Sequence, residues 1–327
     1  METTEVHAWV GGQIDDDSHG DVTFGVRSGA VRADLYTDTL ELAWEPGDDR
    51  GRAWLMARGN AFATGLFITP WAGGAPDPDR GLAVAAVGLD GGVIRYLPAG
   101  GWTGGRVSAR HLVFSPYTED PDAPPDHGVV RLDGLLGVYR PALQAELALG
   151  LDLEARAETV GGEVLQPHVE GAIHWRPDRV VAPIVEGWGA MAEGQSAVTR
   201  TRLGGLTPYA VPLAGAAWAE WWVEDYAAAR VGVSTGATEM AEARPRVRAR
   251  GELTADFAAF GDVYGDPEAP AGAVGLRGAG RLTYRKTYTD LSVGTAPWIP
   301  RADGLGRLSI FFRVGVDWAP LRTHGET

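Results

Sequence analysis

The chain has 327 residues, including 46 glycines, 21 prolines and 12 tryptophans but no cysteine, which excludes a disulfide scaffold, a thiolate metal site and a cysteine nucleophile. At 45% hydrophobic residues and a mean hydropathy of -0.11 it is too apolar for a disordered chain, and no run approaches the roughly 20 apolar residues of a membrane-crossing helix. Its 29 basic residues, all arginine except Lys286, face 43 acidic ones, and the net charge of -14 argues against a general nucleic-acid binder.

Residues 1–5 carry no basic start to an apolar stretch, so no leader is visible. Residues 15–21 (DDDSHGD) read as an acidic loop. From 52 to 67 a two-residue period sets Ala53, Leu55, Ala57, Gly59, Ala61, Ala63, Gly65 and Phe67 against Arg52, Arg58, Asn60 and Thr64. That is a two-faced strand. Residues 72–81 (AGGAPDPDRG) and 118–128 (TEDPDAPPDHG) are proline-rich acidic loops, while 90–92 (DGG), 140–141 and 176–179 read as short turns. The clearest alternation spans 143–158, with Leu143, Leu147, Leu149, Leu151 and Leu153 on one face and Glu146, Asp152, Glu154 and Glu158 on the other. On a helix these would scatter around every side; as a strand they separate, over roughly 50 Å at about 3.3 Å per residue.

His168, Glu170 and His174 share one strand face, at spacings of roughly 7 and 14 Å, too far apart for one zinc without other strands. Residues 213–234 read as a strand with an inward stripe of Trp218, Glu220, Trp222, Glu224 and Tyr226, although Glu224-Asp225 breaks the alternation and allows a bulge or rim there. Residues 247–264 place Leu253, Phe257 and Val263 opposite Arg246, Arg248, Arg250, Glu252, Asp256 and Asp262. After an acidic loop at 265–272, residues 274–284 set Leu276, Leu282 and Tyr284 against Arg277, Arg281 and Arg285. In 308–318, Leu308, Phe312, Val314 and Trp318 oppose Arg313 and Asp317.

Strands of this length with one apolar and one charged face suit a lipid-facing wall around a wet lumen, and lipid demands a closed sheet. Aromatics near strand ends, Phe67, Trp71, Trp175, Tyr284, Trp298 and Trp318, are candidates for a headgroup girdle. In size and architecture the chain resembles the bacterial outer-membrane β-barrel family, porin-like, over nearly its whole length. The segment 307–318 (RLSIFFRVGVDW) resembles that family's C-terminal assembly signal through Arg313, Gly315 and Trp318, but departs from it because residues 319–327 follow. The resemblance implies an all-β, antiparallel, transmembrane up-and-down barrel of about 14 strands, with 12 to 16 open. It would form one domain, with residues 5–318 as barrel and 319–327 as tail, in the bacterial outer membrane. It also implies outer-membrane lipids as partners and the barrel-assembly machinery acting through the last strand.

Inward faces then form two charged walls. Arg246, Arg248, Arg250, Arg277, Arg281, Arg285, Arg307 and Arg313 make a basic one; Glu146, Asp152, Glu154, Glu158, Glu170, Glu220 and Glu224 make an acidic one. Opposed walls would orient dipolar solutes and tune ion selectivity. The expected function is a channel for small hydrophilic or charged solutes, with no cofactor, no nucleic acid and no bound metal. The alternatives are a closed barrel in a structural or export assembly, an outer-membrane lipid-modifying enzyme, and a soluble β-barrel binding an apolar ligand. No Gly-x-Ser-x-Gly elbow, phosphate loop or His-Glu-x-x-His helix supports an enzyme. His111 with Ser108 or Ser115 is the one pairing an enzyme reading would use.

Overall fold

The computed structural model describes residues 4–14, 19–36, 39–60, 67–68, 71–72, 75–77, 79, 81–114, 126–156, 163–177, 179–195, 199–205, 211–216, 220–240, 247–264, 266, 269, 271–296 and 307–320. The two-residue period becomes sixteen antiparallel strands: β1 (Thr4–Ile14), β2 (His19–Ser28), β3 (Val31–Tyr36), β4 (Thr39–Trp44), β5 (Gly51–Asn60), β6 (Leu82–Tyr96), β7 (Gly101–Phe114), β8 (His127–Arg140), β9 (Leu143–Arg156), β10 (Glu163–Trp175), β11 (Val181–Ala192), β12 (Tyr226–Met240), β13 (Val247–Phe260), β14 (Gly272–Tyr284), β15 (Thr287–Ala296) and β16 (Arg307–Pro320). Each pairs with the next, and β16 returns to β1 with Val10 opposite Val314 and Glu5 opposite Pro320. Closure leaves no open sheet edge. The strand number is thus sixteen rather than fourteen, inside the expected range.

The even number brings both ends of the barrel, Thr4 and Pro320, to one rim. The strand ends joined through 29–30, 45–50, 97–100, 141–142, 176–180 and 285–286 lie on that rim, and those that flank residues 61–81, 115–126, 193–225, 261–271 and 297–306 on the other. The strand ends that flank the proline-rich acidic segments therefore belong to a single rim. The DGG at 90–92 is not a turn. It lies inside β6, paired on both sides with Gly91 opposite Leu55 and Val107, so the ladder overrides local turn chemistry. The strand expected over 52–67 ends at Asn60, and the one expected over 247–264 ends at Phe260.

Outward positions carry Leu and Val that stay bare, such as Val87 at 61% and Leu253 at 65% exposure. An apolar belt all round a closed barrel is a lipid-facing surface, far beyond the patches of soluble monomers. Inward positions are polar and buried, among them Thr23, Asp34, Asp133, Glu154 and Gln166. Their close packing depends on one recurrent device. Asp133 of β8, Gly150 of β9 and His168 of β10 stand in one row across three strands. Since Gly150 has no Cβ, Asp133 and His168 meet over it at 2.7 Å; a Cβ there would strike both side chains. His7, Gly25 and Asp34 form the same row across β1, β2 and β3.

Two outcomes follow for the purified chain in detergent. Unboiled protein should run faster on a gel than boiled protein, because a closed ladder resists detergent unfolding. Gly150→Ala should lower the temperature of that shift and cost about 1–3 kcal/mol in urea unfolding, the range for overpacking a filled interior.

Candidate functional site

The connector between β11 and β12 does not stay outside. It turns into the lumen, where Thr201–Leu203 pairs with Trp221–Val223 and bridges join Leu203 to Val211 and Gly205 to Leu213. Leu203, Leu213, Ala216, Trp221 and Val223 pack on Phe260, Ala273 and Ala296 of the inner wall. This stopper lies against the long-loop end of the inner wall on β13 to β16 and β1. Each large apolar side chain it buries is worth about 1.5–3 kcal/mol relative to exposure. It sits directly on the wall because β14 and β15 present Gly275 and Gly294 there; a Cβ on Gly275 would collide with the Ala214 carbonyl. Hydrogen bonds pin it: Ala214 N donates to Asp256 Oδ2 at 3.0 Å, Gly215 N to Ser309 Oγ at 3.2 Å, and Gln13 Nε2 to Ala216 O at 3.4 Å.

The strand expected over 213–234 is therefore corrected: β12 begins at Tyr226, and Glu220, Trp222 and Glu224 belong to the stopper or its exit, not to a barrel wall. Trp221, Trp222 and Val223 are all buried, which a two-faced strand cannot achieve, because wall and stopper cover them from both sides. Trp222 stacks on Tyr264, so no exposed aromatic track runs there; Trp218 lies outside the described residues.

Below the stopper the inner face carries linked ion pairs. Arg230 of β12 makes a two-pronged pair with Asp256 of β13 at 2.7 and 2.9 Å. Arg176 donates to Glu186 at 2.8 Å and to Glu252 at 3.0 Å, and Arg277 to Glu252 at 3.2 Å. Asp290 accepts from Arg313 at 2.7 Å and has Arg281 at 3.4 Å. On the expected acidic wall, Asp152 stands 3.4 Å from His168, Glu154 3.6 Å from His127, and Glu170 2.6 Å from Arg131. Glu146 lines open lumen. Arg106, Arg131 and Asp133, absent from the sequence reading, bind this wall together. The same alternation applied to 101–114 and 127–140 would have found them.

Of the expected basic wall, Arg250, Arg277, Arg281 and Arg313 line one cavity, and Arg248 stands on the inward register opposite Thr283 near the short-turn rim. Arg285 is corrected: at φ 57° it forms the β14–β15 turn and lies over Tyr284, outside the lumen. Arg246, Glu158 and the Arg307 side chain lie outside the described residues, as do Trp298 and the side chains of Phe67 and Trp71. Trp175 and Tyr284 face outward at the short-turn rim, joined by Trp44. Trp318 does not. Two residues of β1 span three of β16 there, and this bulge turns Trp318 inward, edge-on to His7 at 4.2 Å and under Arg27. Ser108 and His111 occupy opposite faces of β7, so they do not converge; Ser115 lies outside the described residues.

Two cavities open beneath the stopper, about 960 and 640 Å³, sharing Trp188. The larger is lined by Trp54, Trp102, Glu146, Glu170 and His174 and reaches the 97–100 turn. The smaller holds the basic residues, with Arg202 of the stopper. Desolvation lowers the Arg202 guanidinium to about 10, which leaves it charged at neutral pH.

No protein-family model matches the sequence, and no curated protein sequence is similar to it. In fold the chain is similar to CdiB from Acinetobacter baumannii, at TM-score 0.65 and 8% identity, over 97% of this chain and 60% of that one. It is similar also to BamA from Haemophilus ducreyi lacking POTRA domains 1-3, at 0.64 and 10%, over 97% and 70%, and to CdiB from Escherichia coli, at 0.63 and 11%, over 95% and 62%. This chain thus spans about 60% of the length of the first of these. The likeness is one of fold: this chain, a closed sixteen-stranded antiparallel barrel with an apolar outer belt, has the fold of outer-membrane β-barrel proteins.

The Arg230–Asp256 pair should be strongly stabilising against single truncation. Arg230→Met leaves Asp256 buried without its cation and is expected to cost about 3–5 kcal/mol in urea unfolding. The double variant Arg230→Met with Asp256→Leu should recover part of that loss, a non-additivity read from the double-mutant cycle.

Proposed function

We propose that the protein is a gated conduit of the bacterial outer membrane, passing small hydrophilic or charged solutes when the lumen segment within 199–223 is displaced. The observation that carries this reading is the stopper itself, seated at the long-loop end of a lumen whose other end holds two polar cavities. A barrel meant only as a wall needs no such cavities. In this reading the short-turn rim faces the periplasm, as in other bacterial barrels, and solute enters the cavities from that side. The inward arginines and carboxylates then set selectivity, Arg248, Arg250, Arg277, Arg281 and Arg313 on one side against Glu146 and Glu170 on the other. Trp44, Trp175 and Tyr284 anchor the barrel at the lipid headgroups. The last strand, β16, is what the barrel-assembly machinery would engage.

The second reading, a closed barrel serving an export or structural assembly, is favoured by the depth at which the stopper is buried. Planar-bilayer recordings separate the two. The intact chain should be mostly closed, whereas replacing residues 199–223 by a short Gly-Ser linker should give a steady open conductance. Gly275→Leu, which pushes the stopper off the wall from the barrel side, should raise the open fraction. A deletion variant that keeps its heat-dependent gel shift but conducts no more than the intact protein would sink the conduit and favour the closed assembly component.

A further inference from the structure

We infer that the arginine-lined cavity beneath the stopper is a binding site for a small multivalent oxyanion, carrying two or more phosphate or carboxylate charges, that ties the stopper to the barrel wall. This goes beyond transport, since it requires binding and not passage.

The charge count in the cavity carries the inference. Seven arginines and two carboxylates line its 640 Å³, a volume usual for a small-ligand site. The two carboxylates are already shared: Glu252 serves Arg176 and Arg277 and lies 3.2 Å from Arg250, while Asp290 serves Arg281 and Arg313. Counting also Glu186, Asp256 and Asp317, which contact these arginines from outside the lining, gives five carboxylates against seven guanidinium groups. Among the described residues the surplus is two positive charges, which a dianion would neutralise.

Two guanidiniums show where it would sit. Arg202, on the stopper, has no carboxylate or hydrogen-bond acceptor for its side chain among the described residues; its one contact is the Trp222 ring, 5.1 Å from the guanidinium carbon. The Nε of Arg250, on the wall, is buried and makes no hydrogen bond, although Glu252 Oε1 stands 3.2 Å from it in an ion pair. A guanidinium offers a planar fork of donors that matches phosphate and carboxylate oxygens. Arg202 approaches from the stopper, while Arg250, Arg281 and Arg313 project from β13, β14 and β16. An anion between them bridges the stopper to the wall. Stacking of Arg281 and Arg313 over Tyr288, at 4.3 and 5.2 Å, holds the wall-side forks in place.

The test is isothermal titration of the full chain in detergent with inorganic pyrophosphate, and separately with succinate, each against sodium chloride at equal ionic strength. Saturable one-to-one binding is expected for at least one of the two, with the stronger naming the phosphate or the carboxylate class. R202Q and R281Q should each weaken it by about tenfold, the loss of one charge-assisted fork. R58Q, on β5 and outside the cavity, should leave it unchanged. R281Q does not touch the stopper, so it reports on the site even if R202Q loosens that segment. No saturable heat with either anion, or equal affinity in R202Q, R281Q and the intact chain, overturns the site. Conductance plays no part in this readout, so the site and the conduit stand or fall separately.

Discussion

Everything in this protein depends on the ladder between β1 and β16. Closing that seam satisfies every strand edge, and in hydrocarbon a sheet has no other way to do so. Once closed, the pleat assigns each side chain by parity: leucine and valine outward to lipid, arginine and carboxylate inward. The seam is irregular near its end, where the bulge opposite His7 lets β16 turn Trp318 inward and cover the lumen beside Arg27.

A wall of alternating strands delivers many polar and charged side chains to the interior, several of them buried. The inner face resolves this by pairing. Rows such as Asp133, Gly150 and His168 bring acid and base together over a residue without a side chain, and Arg230 with Asp256 does the same between neighbouring strands. Many charges of both expected walls are thus engaged in interleaved pairs, and arginines are in excess in the cavity lined by β12 to β16 and the stopper.

The stopper narrows the long-loop end of this barrel. It is held by apolar burial against Phe260, Ala273 and Ala296 and aimed by a few directional bonds to Asp256, Ser309 and Gln13. Apolar contact is non-directional, so the hydrogen bonds fix position while the burial supplies most of the adhesion. Asp256 joins both systems, since both of its oxygens accept from Arg230 and Oδ2 accepts also from the stopper backbone at Ala214 N.

The sequence by itself determined the fold class, the lipid-facing surface and most of the inward charges, because a period of two is a local property that survives any pairing. Leu143 to Leu153 and Arg277 to Arg281 are where the alternation placed them. The strand ends that flank the proline-rich acidic segments all stand at one rim. Only the tertiary structure decided the rest. Gly91 and Gly92 look like turn residues until both neighbouring strands are paired with them. Trp221, Trp222 and Val223 look like half a strand until the lumen covers both sides. Arg202 carries no local mark at all. Its importance comes from the wall it faces, and that wall is built from strands more than 40 residues further along the chain, where no short-range pattern could have joined them.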